Sequence, residues 1–480
     1  MKRVPCLAAV CVLLAALPCH AIGTRTHAEI GMMCVEKYLV NADAMLPGLG
    51  TMFQQRENRR ILYRACEFPD WGFEGINPDA GEASHWHPFE SAWAGLLKDR
   101  HYTLPYDEAA QQEIAFFFGA LCHNIADLPW HFGHGKDKSF LQMANEMDHA
   151  SHGDAEIGID FVRYTQRPFH HIGNLSNFVP FETIMAVMQR ANLKVTREQV
   201  QAGITRENLI MWFGPLVALG YASERRAALP WCMAHVEDYY YGGMEHDAAA
   251  CAMWCRYWYA DITGGYCFQQ MPMYFDNVAK DSGYVPYLGT SDTTLLERTP
   301  DANLGQEALL QVGGPAGNRR AALVRFDLVD LPKDAKVGKA TLWLASAGPL
   351  DGGAGPVPMA VYGAADAWQE GGGVSDPYNG MEGRPAAAGE AVWSMFPAEG
   401  GEAAAQTTLA NTDEHQWVSF DVTALVNSWL ADPGSNNGFM VRGTSEAAAK
   451  FFSAQAFRAS PDGYCGGTRV AFRPMLILLP

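Results

Sequence analysis

The sequence predicts a multidomain chain: a mostly α-helical domain followed by an all-β antiparallel sandwich, jelly-roll-like in character. Three observations carry this reading. Up to about Cys267 apolar residues recur at spacings of three and four, the period of helices with one buried face. After about Met273, Gly-rich turns separate short runs of β-branched and aliphatic residues, the texture of antiparallel strands. And 480 residues exceed one ordinary domain, while an apolar fraction of 48% with 13 Trp, 18 Tyr and 24 Phe is enough for sizeable cores.

The chain opens on basic Lys2 and Arg3, then an apolar stretch over 7–17 that is too short to span a bilayer. Cys19-His20-Ala21 follows as a small-x-small cleavage pattern. Residues 1–21 therefore read as a secretory signal peptide, with Ile22 the first mature residue and a secreted or periplasmic destination. The helical domain is placed at 22–270, a linker at 271–284 and the sandwich at 285–480. No later run has the roughly 18 uninterrupted apolar residues of a transmembrane helix. The longest candidate, 209–222, contains Pro215 and reads as a buried helix. Export makes disulfides plausible among the cysteines outside the signal. Cys251 and Cys255, one helical turn apart, read as packing or disulfide residues, because no second ligand pair follows them. Asn174-Leu-Ser176 fits a glycosylation sequon.

Helical periodicity is clearest over 27–39, 60–66, 181–190 and 253–259, with long loops at 70–87 and 133–139. Loops of that length in a helical body are commonly functional. Strands are expected at 308–312, 320–327, 339–344, 416–421, 438–442, 450–453 and 475–479. The stretch 348–401, rich in Gly, Ala and Pro, reads as long loops between few strands. A net charge of −18 argues against an electrostatic grip on nucleic acid or an anionic membrane surface.

Chemistry concentrates in the first domain. Twelve of the 15 histidines fall between His20 and His171. The stretch His123-Asn-Ile-Ala-Asp127-Leu-Pro-Trp-His131 follows an apolar helical run. Residues four apart in a helix rise about 6 Å and drift by roughly 40°, so His123 and Asp127 share a face and can hold one metal ion. Pro129 is expected to kink or end the helix and aim His131 elsewhere. His152 and Glu156 repeat the four-residue spacing. His27, Asp70 and His85 complete the inventory. Taken singly, each has an ordinary reading as a core, capping or surface residue. Two four-spaced His/carboxylate pairs with further His and Asp within about 130 residues point instead to a metal site, since zinc takes imidazole nitrogen and carboxylate oxygen. No serine or cysteine sits in a nucleophile elbow, and no Gly-rich phosphate loop is present.

Ile22-Gly-Thr-Arg-Thr-His27-Ala-Glu-Ile-Gly31, Phe68-Pro-Asp70, Ser84-His85-Trp86 with Pro88-Phe89, the His123/Asp127/His131 stretch and His152-x-x-x-Glu156 together resemble the zinc-dependent phospholipase C/D family. Within it the likeness is to the catalytic domains of glycosylphosphatidylinositol-specific phospholipases D. It extends through Gly242-Gly243-Met244 to Cys267, covering about 22–267. The resemblance implies three zinc ions in a mostly helical fold. One is held by Asp70, His85, His123 and Asp127, and a second by His131, His152 and Glu156. The third uses His27, Asp127 as a bridge, and the amine and carbonyl of Ile22 once the signal peptide is cleaved. His149 is a competitor for the place of His152, which is preferred for the carboxylate four residues after it. Asp70 is the residue expected to help deprotonate the attacking water.

Asp292-Thr-Thr-Leu-Leu, Asn303-Leu-Gly305, Leu323-Val-Arg-Phe-Asp327, Lys339-Ala-Thr-Leu-Trp-Leu344, Trp368, Phe420-Asp-Val-Thr423, Asn437-Gly438-Phe439 and Arg473-Pro-Met-Leu are similar to DNRLRE-type carbohydrate-binding modules. This second resemblance, over about 285–480, implies attachment to a glycan or a cell surface. The expected function is a secreted zinc phosphodiesterase acting on phospholipids or glycolipid anchors, with an accessory β domain. The alternatives are a single-strand-specific zinc nuclease, disfavoured by the acidic charge, and a non-catalytic glycan-adhesion protein.

Overall fold

The computed structural model describes residues 23–480 except 74, 101, 167–174, 275–282, 284–285, 330, 333–334, 336, 351–354, 377, 396–401, 411 and 457–466. The signal-peptide reading, Ile22, the Asn174 sequon position and Cys465 lie outside the described residues. Two compact units are present. The first comprises Met1–Ile262, Met273–Val285 and Pro461–Thr468, and the second Thr263–Pro272, Pro286–Ser460 and Arg469–Pro480.

The first unit is helical. In order it contains α1 (Thr24–Cys34), continued by a π-helical turn at Val35–Leu39, then α2 (Leu49–Gln54) and α3 (Arg56–Ala65). A 3₁₀ turn at Phe68–Gly72 leads to α4 (Pro78–Ala83), α5 (His87–Asp99), α6 (Glu108–His131), α7 (Phe140–Asp148) and α8 (His152–Gln166). Then come α9 (Phe181–Arg190), α10 (Arg197–Ala228), α11 (Pro230–His235) and α12 (Met244–Ile262). The expected loop at 70–87 thus holds the end of the 3₁₀ turn and a short helix.

Helix α6 is the axis of this unit. Asp107 caps its start by accepting from Ala110 N at 2.8 Å. From Ile114 to Trp130 it is buried on every side, as befits a central helix. Phe68, Trp93 and Phe116 pack edge-on or tilted, with ring centroids 5.6–5.9 Å apart. Gly119 lets α6 approach α3, since a Cβ there would overlap the Leu62 carbonyl and the Ala65 side chain.

Two sequence expectations fail here. The helix does not end or break at Pro129 but runs through it to His131, and Phe132 N still bonds to Leu128 O at 2.8 Å. Proline removes one internal hydrogen bond, and packing on all sides outweighs that local loss. The stretch 209–222 is not a buried helix. It is the middle of the 32-residue α10, whose Met211, Val217 and Ala218 face inward while Trp212 (77% exposed) and Leu219 (74%) face out. Among the described residues, no helix is long and apolar enough to cross a membrane.

The second unit is an antiparallel sheet curled over a core. Its strands are β1 (Tyr266–Gln269), β2 (Thr290–Leu296), β3 (Ala302–Asn303), β4 (Leu309–Gly313), β5 (Arg320–Phe326), β6 (Lys339–Pro349) and β7 (Val357–Gly363). They continue with β8 (Arg384–Pro385), β9 (Ala405–Leu409), β10 (Trp417–Asp421), β11 (Phe439–Gly443), β12 (Ala448–Phe452) and β13 (Met475–Leu479). The order is β1-β13-β6-β12-β4-β5-β11-β7-β9, with β10 also on β6, β2 on β5, and β3 paired to β8. Strand β6 makes the curl. Its first half pairs with β13 and β10, and past Ala345 it takes up β12 across a register shift. Leu342 and Leu344 of β6, Val324 and Phe326 of β5, and Phe439 and Val441 of β11 share one buried core. A helix unforeseen from the sequence, α13 (Thr423–Ala431), adds Val426 and Trp429 to it. Asp421 accepts from Thr423 N at 3.1 Å and from Thr423 Oγ1 at 2.6 Å, fixing the turn into this helix.

Strand β1 pairs with β13 from Tyr266↔Leu478 to Gln269↔Met475, so the β unit begins at Thr263 rather than after a linker at 271–284. The sequence boundary differs because a four-residue strand directly after a long helix carries no period of its own.

Gly119→Ala should destabilise the protein by about 1–3 kcal/mol through overpacking at the α3–α6 contact. Helix propensity alone predicts the opposite sign, so a higher urea midpoint in the variant would remove the packing constraint.

Candidate metal centre

The predicted side chains of the helical unit converge on the last two turns of α6. His123, Asp127 and His131 lie along one face, one turn apart. Asp127 is the hub: its carboxylate stands 3.3 Å from His27 Nε2, 3.4 Å from His123 Nε2 and 3.7 Å from His131 Nε2. His131 reaches its neighbours by continuing the helix, not by leaving it.

Two of the histidines are aimed by their other nitrogen. His123 Nδ1 is 2.7 Å from Cys66 O, and His85 Nδ1 is 2.8 Å from Gly81 O. A carbonyl only accepts, so both Nδ1 atoms carry protons. The Nε2 atoms of these two rings then face each other at 3.1 Å, with Asp70 Oδ1 3.2 Å from His85 Nε2. Two neutral imidazoles would direct lone pairs at one another there. A proton or a cation between them is required. His27 stacks on His123 with ring centroids 3.7 Å apart. Three donor groups have ligand atoms within 4.8 Å of one another: His27/His123/Asp127, Asp70/His85/His123 and His131/His152/Glu156. Both ring nitrogens of His27, Asp127 Oδ1 and both oxygens of Glu156 are buried without a hydrogen-bond partner among the described residues. Buried polar atoms rarely go unsatisfied, and this donor set suits a divalent cation.

The electrostatics follow from burial and proximity. Burial opposes the charge on His123, yet Asp127 and Asp70 raise it to about 9. Burial, reinforced by its histidine neighbours, lowers His27 and His131 to about 4. Burial opposes ionisation of Asp127 and Asp70, but the facing imidazoles hold both below the usual carboxylate range. Glu156 is pushed up to about 10 by burial and by the Asp127 charge.

Position is enforced from outside the cluster. Arg206 of α10 donates to Asp70 O at 2.7 Å and to Phe73 O at 2.6 Å, clamping the 3₁₀ turn that presents Asp70. His152 Nε2 lies 2.7 Å from Glu156 Oε1, and its ring is half exposed. With His131 it borders a cleft of about 780 Å³ walled by Gly133, Lys138, Ser139 and Asn145. His149 ends α7 in a left-handed conformation and belongs to none of the three donor groups.

Two acids were under-read in the sequence. Asp160 supplies the cap that α1 lacks. It accepts from Arg25 N and Thr26 N, both at 2.9 Å, and from Thr26 Oγ1 at 2.7 Å, which holds the start of α1 and hence His27. Burial raises it to about 6 against these donors. Asp247 on α12 is buried with neither oxygen hydrogen-bonded among the described residues, and burial together with Asp127 raises it well above the usual range. A lone acid opening the apolar run 248–255 was the available signal.

Fold and site define the class: an α-helical unit with a buried histidine–carboxylate cluster that opens on one side to a cleft. The chain is homologous over about half its length to phosphatidylinositol-glycan-specific phospholipases D. It is 25% identical over 237 residues to the human enzyme, which is 48% of this chain and 27% of that protein. It is 24% identical over 236 residues to the cattle enzyme, at the same two shares. To the Dictyostelium discoideum enzyme it is 25% identical over 221 residues, 43% of this chain and 22% of that one. The match thus spans about a quarter of the length of these relatives. In the β unit, the TGF-beta propeptide family model matches residues 398–461.

Asp160→Ala should cost about 1–3 kcal/mol, because buried amides at the start of α1 lose their acceptor. Urea denaturation measures it, and a change within about 0.5 kcal/mol of zero would show that the cap is dispensable.

Proposed function

We propose that the chain is an exported zinc-dependent phosphodiesterase that hydrolyses phospholipids or glycosylphosphatidylinositol anchors, by C-type or D-type cleavage. One observation carries the reading: His85 Nε2 and His123 Nε2 are aimed at each other at 3.1 Å while both Nδ1 atoms are committed to carbonyls. The homology to phospholipases D supplies the substrate class.

Asp70, His85, His123 and Asp127 would hold one zinc ion, and His131, His152 and Glu156 a second. His27 and Asp127 would hold a third, together with the amine and carbonyl of Ile22, which lies outside the described residues. Bound zinc neutralises phosphodiester oxygens and makes a bound water more acidic. The protein's own groups do the rest. His27 and His131, held near 4, keep their lone pairs available at neutral pH. Asp70, kept ionised by His123 and His85, accepts the proton of the attacking water. The cleft beside His131 and His152 has room for a phosphorylated head group.

Purified protein, given phosphatidylcholine and a glycosylphosphatidylinositol-anchored substrate, should release product, with phosphatidic acid or diacylglycerol in the mass spectrum reporting the bond cut. Chelation should abolish turnover and Zn²⁺ restore it, while His123→Ala should lose at least about 100-fold. Turnover surviving exhaustive chelation would sink the zinc reading.

Loading should also release protons. Without metal, His123 at about 9 and Glu156 at about 10 are both protonated at pH 7. Zinc must displace those protons, so its apparent affinity should rise with pH until about 10. Calorimetric titration of metal-free protein in buffers of different ionisation enthalpy reads the proton count. A count of zero at pH 7 is the contrary result.

A further inference from the structure

A second group of metal-type donors lies behind the histidine cluster, and it contains only sulfur. Cys34, Cys66, Cys122, Cys232, Cys251 and Cys255 are buried free thiols. Cys122 is one residue before His123, and the Cys251 thiol donates to its carbonyl at 3.3 Å. The sulfurs of Cys34, Cys122 and Cys255 lie within 4.8 Å of one another. They come from α1, α6 and α12, elements far apart in the chain. The approach is built in: at Gly31 of α1 a Cβ would stand 2.5 Å from Cys66 Sγ, and Gly119 sits one turn before Cys122.

We propose that Cys34, Cys122 and Cys255 are the ligand triangle of a buried zinc–thiolate site, with Cys251 or Cys66 closing the fourth position. Zinc–sulfur bonds of about 2.3 Å place tetrahedral thiolates roughly 3.8 Å apart, inside the 4.8 Å within which the three sulfurs lie. Two further thiols are near: Cys251 Sγ is 3.3 Å from Cys122 O, and Cys66 Sγ is 3.3 Å from Leu62 O. Disulfides fit less well. They consume sulfurs in pairs and leave one of the five over, and each needs a specific Cβ–Cβ geometry. Four thiolates on a divalent ion leave two negative charges, and the buried Arg256 guanidinium offsets part of that from beside Cys34. Such an ion would pin α1, α6 and α12 together directly beneath His123. The site is independent of the phosphodiesterase reading, because none of its ligands belongs to the histidine cluster.

Sulfur makes the test specific, since the histidine cluster offers only nitrogen and oxygen. Full-length protein purified under reducing conditions with Zn²⁺ should show a zinc–sulfur shell near about 2.3 Å in X-ray absorption. Cys255→Ser and Cys34→Ser should each lose that shell and one zinc per chain. Cys232→Ser, outside the group, should keep both, and His152→Ala should keep the sulfur shell. A zinc spectrum of folded wild-type protein fitted by nitrogen and oxygen alone would overturn the proposal. So would peptide mapping that finds disulfides among Cys34, Cys122 and Cys255. Both of those measurements use the wild type, so a variant that fails to fold does not blunt them.

Discussion

The helical unit depends on one hydrogen bond, from His123 Nδ1 to the carbonyl of Cys66. Cys66 ends α3, where a helix leaves carbonyls without internal partners. The bond satisfies that orphan, ties α3 to α6, and turns His123 Nε2 toward His85, Asp70 and Asp127. The thiol of the same Cys66 donates to Leu62 O at 3.3 Å. Losing the bond would free an imidazole that three other residues are positioned against.

Around this link the interior carries more charge than packing alone would tolerate. Asp70, Asp127, Glu156, Asp160 and Asp247 are all buried, and isolated ions in such surroundings cost several kcal/mol each. The chain answers that cost in different ways. Asp160 is met by helix amides, and Asp127 and Asp70 by imidazoles. Arg163 lies between Glu29 and Glu237 and ties α8 to α1, with Arg25 on the far side of Glu29 at 2.6 Å. Glu156, with His152 Nε2 2.7 Å away, and Asp247, with no hydrogen bond to either oxygen among the described residues, are held toward their neutral forms. An interior with surplus buried donors and unanswered acids is poised for cations.

Much of the fold was legible. The strands expected at 320–327, 416–421 and 475–479 coincide closely with β5, β10 and β13, because alternation and flanking turns are local signals. Helix α9 was expected at the residues where it occurs. What failed was local inference against tertiary context. Pro129 was read by its intrinsic preference, which burial on all sides overrode. The stretch 209–222 was read by its apolarity as buried, but only one face of α10 meets the protein. Strand β1, at four residues, carried too few positions to show a period.

By itself the sequence determined which donors exist and how neighbours on one helix line up. His123, Asp127 and His131 are spaced by turns of α6, and His152 and Glu156 by a turn of α8, a geometry that any helix imposes. Tertiary structure decided which distant groups meet. It laid His27 on His123, brought His85 Nε2 to 3.1 Å from His123 Nε2, and set Asp160 at the start of a helix 134 residues away. It also brought the sulfurs of Cys34, Cys122 and Cys255 within 4.8 Å of one another. These encounters depend on how closely helices approach, at Gly31 and Gly119 above all, and close approach is a property of packed surfaces that no local period encodes.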